Sequence, residues 1–89
     1  MIDYTLENGL QLIRLKYGRK KTLEKCKEEL QELIEALEKR DMEHIHEEVA
    51  DVYNILSHII AFYNISDEEI IERQKYKVKR QLKRMRHEK

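Results

Sequence analysis

The sequence predicts an all-α fold: an antiparallel helical hairpin with flanking helices, which completes a four-helix-bundle core by oligomerisation. Three observations lead there. The 89 residues contain no proline and only two glycines, Gly9 and Gly18, so few points force a helix to stop. Apolar residues recur at three- and four-residue spacing along four stretches. A short polar break at residues 39–41 separates the two most regular of these, at a length that joins antiparallel helices. A chain of this size reads as one small domain over residues 1–89, with its core at about 6–80 and a basic, fraying end at 81–89.

The first helix is expected over residues 5–17, where Leu6, Leu10, Ile13 and Tyr17 share a face and Gly18 serves as the C-terminal stop. Arg19, Lys20 and Lys21 then read as a basic link, and Thr22 as the N-cap of a second helix running from 23 to about 38. The second helix carries one compact apolar stripe of Leu23, Cys26, Leu30, Leu33, Ile34 and Leu37. Cys26 lies inside that stripe and is read as a small core residue. A third helix, from about Met42 to Tyr63, is capped by Asp41; its stripe is Ile45, Val49, Val52, Leu56, Ile59, Ile60 and Tyr63. Tyr53 and Ile55 widen this arc to roughly 160°, more than one partner helix can cover. Such an excess of apolar surface in so short a chain predicts a homodimer or homotetramer. Ser66 opens the last helix through the capping box SDEE, with Ile70, Ile71, Val78, Leu82 and Met85 as a narrow seam.

Charge is zero overall but unevenly placed. Residues 28–51 hold ten acids against two bases, and residues 72–89 hold nine bases against two acids. The acidic middle calls for a cation, and the basic end for an anionic substrate or partner. The lone Cys26 excludes an intrachain disulfide, and the chain opens with no secretory signal pattern and contains no membrane-length apolar run. A cytoplasmic protein without membrane contact is the expectation.

A hairpin turning at about Arg40 pairs residues whose numbers sum to roughly 80, so Glu29 faces Asp51 and Glu32 faces Glu48. All four lie on the borders of the apolar stripes, where acids are partly desolvated, and Ala36 leaves room beside them. At about 5 Å and an effective dielectric near 20, each pair of charges repels by roughly 3 kcal/mol, which a divalent cation relieves. Oxygen ligands alone indicate a hard ion, Mg²⁺ first and Mn²⁺ as substitute; Mg²⁺ shares its shell with substrate phosphates, pointing to metal-activated attack of water on phosphorus. His44 and His46, two apart on a helix, point to different sides and read as surface residues. His58, two turns beyond Asp51, reads as a solvated or capping residue, with substrate contact as the alternative. Tyr53, Phe62 and Tyr63 read as core or interface, with base stacking by one of them as the alternative.

The runs EELQELIEA at 28–36 and EEVADVYN at 47–54 look like the EExxE and ExxD signatures of MazG-like nucleoside triphosphate pyrophosphatases, an all-α superfamily that includes dimeric dUTPases and phosphoribosyl-ATP pyrophosphatases. The resemblance covers about residues 6–80. It implies Mg²⁺-dependent hydrolysis of (d)NTP to (d)NMP and pyrophosphate, in the manner of nucleotide-pool house-cleaning enzymes. It also implies Glu29, Glu32, Glu48 and Asp51 as catalytic metal ligands and Glu28 as an outer or second-metal ligand. Asn54 would touch the sugar, and Lys77 and Arg80 the phosphates, although Gln81, Leu82 and Lys83 replace the Gly-Gly-Phe often seen after that arginine. The alternative is a non-catalytic helical interaction module whose basic last helix binds nucleic acid or an acidic partner.

Overall fold

The computed structural model describes residues 4–88; residues 1–3 and 89 of the expected single domain lie outside the described residues. Helix α1 spans Tyr4–Lys39, α2 Met42–Tyr63 and α3 Asp67–Arg86, and no strand occurs among the described residues. The fold is all-α, as expected.

The hairpin turns where its polar break stands. Arg40 takes a left-handed conformation (φ 56°), and the Asp41 side chain accepts the His44 N–H at 3.3 Å, starting α2 at Met42. At the far end Asn64 adopts the left-handed conformation (φ 50°) and donates its N–H to the Ile60 carbonyl, ending α2 at Tyr63. Asparagine tolerates this conformation better than most residues, a stop signal the apolar periodicity does not carry. Ser66 caps α3 by accepting the Glu69 N–H at 3.1 Å.

Gly18 breaks the helical conformation where the stop is expected, so two helical segments meet there. It interrupts α1 with φ 79° and ψ 172°, and helix resumes at once. The expected link at Arg19–Lys21 is therefore helical, and Thr22 is a buried residue within the helix instead of its N-cap. The kink redirects the N-terminal half of α1. In the hairpin register Tyr63 stands level with Tyr17, so a straight α1 would run on past the end of α2. Instead Arg14 returns to His58, and the Arg19 guanidinium lies 4.6 Å from the Tyr63 ring centroid. Opposite effects follow at the two glycines. Gly9 is helical with nothing within 4 Å of an added Cβ, so Gly9→Ala should raise stability by about 0.5–1 kcal/mol. Gly18 occupies backbone space reserved almost wholly for glycine, so Gly18→Ala should lower stability by about 1–3 kcal/mol. Urea unfolding midpoints of the two variants check the pair.

Burial is distributed differently from the expected stripes. The face of α2 that packs on α1 buries Glu48, Ile55 and His58, opposite buried Thr22, Cys26 and Ala36. The more apolar faces point outward: Leu30, Ile34, Val49 and Leu56 remain 40–50% exposed. Within one chain the hairpin thus closes on its polar border and leaves its apolar stripes open. Among the described residues α3 packs against neither α1 nor α2, and its Ile71, Val78, Leu82 and Met85 are exposed.

Candidate metal centre and adjoining cleft

The hairpin register brings acids together from both helices. Glu29, Glu48 and Asp51 each offer a carboxylate oxygen, and the three oxygens lie within 4.8 Å of one another. Glu48 is the most enclosed, 7% exposed, and its Oε2 is buried without a hydrogen-bond partner. A buried carboxylate oxygen with no donor beside two further carboxylates can hold a cation or, without one, keep a proton. Glu32 stands in the open beside the triad, near enough for its charge to act on Glu48 and Asp51. Glu28 is also exposed and is engaged by Lys25 at 3.6 Å. Ala36 is buried and, with Glu32, Glu48 and His44, lines a hollow of about 110 Å³, the room expected beside the acids.

Electrostatics express the crowding. Burial, followed by the charges of Glu29, Glu32 and Asp51, pushes the Glu48 carboxyl up to about 7. Burial and the hydrogen bond with Glu29 raise Asp51. Burial also opposes ionisation of Glu29, but hydrogen bonds with Lys25 and Asp51 and the Lys25 charge outweigh it and hold that carboxyl low. Lys25 Nζ lies 3.1 Å from Glu29 Oε1, so a residue that sequence reasoning passed over acts as the cluster's own cation. Its position four residues before Glu29 is the signal that could have found it.

Beyond the triad a cleft of about 420 Å³ follows the hairpin toward Gly18. Asp51, Asn54 and His58 border it from α2, and Glu29, Lys25 and Thr22 from α1. Asn54 lines the cleft one turn from Asp51. His58 departs from the expectation of a solvated or capping residue: it is 7% exposed and bonded through Nδ1 to Arg14 Nη1 at 2.9 Å. Burial, reinforced by the Arg14 charge, lowers its pKa. Thr22 Oγ1 is buried with no partner. Cys26 is buried, and that burial raises its thiol pKa, in keeping with a core role.

Other candidates separate from the site. His44 is exposed and pairs with Asp41 at 3.2 Å, while His46 bonds back to the Met42 carbonyl at 2.7 Å, both as surface residues. Lys77 and Arg80 are exposed on α3, which does not contact the hairpin, and the Arg80 guanidinium lies 5.6 Å from the Tyr76 ring centroid. One chain does not bring them to the acids. No helix among the described residues is long and apolar enough to cross a membrane.

Comparison with known proteins gives a family match. The profile of the phosphoribosyl-ATP pyrophosphohydrolase family matches residues 11–77, a span containing the acid triad, Glu32 and all of the cleft lining except Leu10. No curated protein and no solved structure matches the chain.

Proposed function

Because the chain belongs to the phosphoribosyl-ATP pyrophosphohydrolase family, within the MazG-like all-α superfamily, we propose that it is an Mg²⁺-dependent hydrolase converting a nucleoside triphosphate to its monophosphate and pyrophosphate. The family makes it a metal-dependent pyrophosphohydrolase acting on nucleotide phosphoanhydrides. The observation that carries the finer reading is the convergence of Glu29, Glu48 and Asp51 around an unpartnered buried carboxylate oxygen at the mouth of a cleft.

Glu29, Glu48 and Asp51 hold the ion in this reading, with Glu32 beside them and Glu28 as an outer ligand. A divalent ion bound there supplies Lewis-acid charge that lowers the pKa of water and offsets the negative charge of the phosphates. Mg²⁺ is favoured and Mn²⁺ accepted because every donor is a carboxylate oxygen. Glu32, in the open beside the three ligands, takes the proton from the attacking water. The water oxygen bonds to the α-phosphorus, the bond from that phosphorus to the bridging oxygen breaks, and pyrophosphate leaves with the bridging oxygen. Asn54 and the cleft hold the nucleoside. Lys77 and Arg80 reach the phosphates from a second copy of the chain, whose arrival also covers the open apolar stripes. Sedimentation velocity checks that part, and a monomer at working concentration would sink it. We also place the enzyme among cytoplasmic house-cleaning enzymes acting on the nucleotide pool, with residues 1–89 as one domain.

The test is pyrophosphate and monophosphate release from a panel of ribo- and deoxynucleoside triphosphates, modified ones included, and from phosphoribosyl-ATP, all with Mg²⁺. Release from a triphosphate is expected. Release from phosphoribosyl-ATP alone would keep the chemistry and correct the substrate. The separation of basic α3 from the hairpin favours one other reading, a module that binds nucleic acid. That version predicts salt-sensitive binding lost on deleting residues 79–89, and no release from any member of the panel.

A further inference from the structure

His58 and Arg14 belong to neither the acid cluster nor any motif, yet they tie α1 to α2 through a side-chain hydrogen bond of 2.9 Å. They meet at the end of the cleft remote from the acids, and the Gly18 kink brings them there. A guanidinium has five N–H donors and no acceptor. The His58 Nδ1 that faces it at 2.9 Å must therefore carry its lone pair, and the ring proton resides on Nε2. The contact fixes one tautomer of a neutral imidazole whose remaining polar group, Nε2–H, is a donor only.

His58 lies seven residues beyond Asp51 on the same helix, about 10 Å at 1.5 Å per residue. That is the reach of a nucleotide from its 5′-phosphate to its base. Between the two levels the walls change character: the acid end gives way to Cys26, Ile55, Leu10 and Ile13, which can cover the face of a flat ring. The cleft's volume of about 420 Å³ falls within the usual small-ligand range of about 300–1,000 Å³. An apolar slot with a few oriented polar groups is how proteins hold and discriminate such rings.

We propose that His58 is a specificity-determining residue whose Nε2–H donates to an acceptor on the substrate's nucleoside, and that Arg14 is a positioning residue that fixes the tautomer able to do so. The inference rests on the pyrophosphohydrolase reading for what occupies the acid end. It assigns the nucleoside end to a pair of residues 44 positions apart in the chain.

Binding without turnover separates the two readings. Affinities of the full-length protein for the 5′-monophosphates of adenosine, guanosine, cytidine, uridine and thymidine are measured by calorimetry, beside inorganic pyrophosphate with Mg²⁺. The ¹⁵N resonances of His58 report its tautomer. Wild type is expected to show a protonated Nε2, a bare Nδ1 and a preference among the five. Arg14→Met should lose the fixed tautomer and weaken the preferred monophosphate by about tenfold, as should His58→Phe, while pyrophosphate affinity is unchanged. Arg14→Lys, still a donor, should keep both tautomer and preference. Unchanged monophosphate affinities in Arg14→Met and His58→Phe would overturn the proposal. So would an equal loss of pyrophosphate affinity, or a wild type that binds no monophosphate. Selective binding without hydrolysis of any triphosphate would instead refute the pyrophosphohydrolase reading and leave this one supported.

Discussion

Replacing Glu48 by glutamine is expected to reduce turnover by more than about a hundredfold while leaving the helical fold intact. Loss of a group that merely supports a metal ligand typically costs about 10–100-fold, and the proposed function puts Glu48 among the ligands themselves. It is also the acid least able to tolerate its surroundings: buried, facing two other carboxylates, and lacking a donor for Oε2. Glutamine keeps the shape and removes the charge. The metal-free variant should therefore be at least as stable as wild type at pH 8, since the like-charge conflict is gone. Asp51→Asn should follow the same pattern. Glu38→Gln, which neutralises an exposed acid on the same helix as Glu29, should change turnover little. Steady-state assays with circular dichroism beside them decide the matter. Retained activity in both Glu48→Gln and Asp51→Asn would remove the acid cluster from the mechanism.

Chelation should abolish activity, and the stability of the metal-free protein should fall as pH rises from about 5 to 8. The folded Glu48 carboxyl titrates at about 7 instead of its ordinary 4.5. Between those values the unfolded chain releases a proton that the folded chain retains, so stability is greatest below 4.5 and is lost as pH climbs through 7. Asp51 shifts in the same direction. Glu29 shifts the other way, and its contribution is lost only as pH falls below the ordinary carboxylate range. Mg²⁺ should reverse the trend at pH 8, where the ligands are ionised; at one hundred times its dissociation constant an ion adds about 2.7 kcal/mol. At pH 5 protons compete for Glu48 and the same Mg²⁺ should raise the melting temperature much less. Thermal melts at both pH values, with and without Mg²⁺, read both signs. A melting temperature indifferent to Mg²⁺ at pH 8, together with activity that survives chelation, would exclude the metal-centre reading.

The meeting of Glu29, Glu48 and Asp51 was legible beforehand because it depends on one local quantity, the hairpin register. Asp41 is a good cap, Arg40 sits at the turn, and helical periodicity carries that register unchanged to Glu29 and Asp51. Errors arose where a tertiary contact outweighs a local signal. Thr22 has the chemistry of an N-cap, but α2 packs across it and the helix continues through. Gly18 was read as a helix stop, and its backbone is non-helical, but a second helix resumes directly after it. Here the bend is selected by what the N-terminal half reaches, including Arg14 against His58. Lys25 was hidden among many helix-surface lysines until its ammonium was found on Glu29.

The sequence by itself determined the helical class, the turn and N-cap of α2, and the meeting of Glu29, Glu48 and Asp51 across the hairpin, because each follows from interactions within a few residues or from a constant helical rise. Only the tertiary structure decided which face of the hairpin closes. It buries the polar border with Glu48 and His58 and leaves the more apolar stripes outside, a choice set by how two helices pack and not by the hydrophobicity of either alone. Only the tertiary structure, likewise, brought Arg14 to His58, since a kink of one residue redirects every side chain that precedes it.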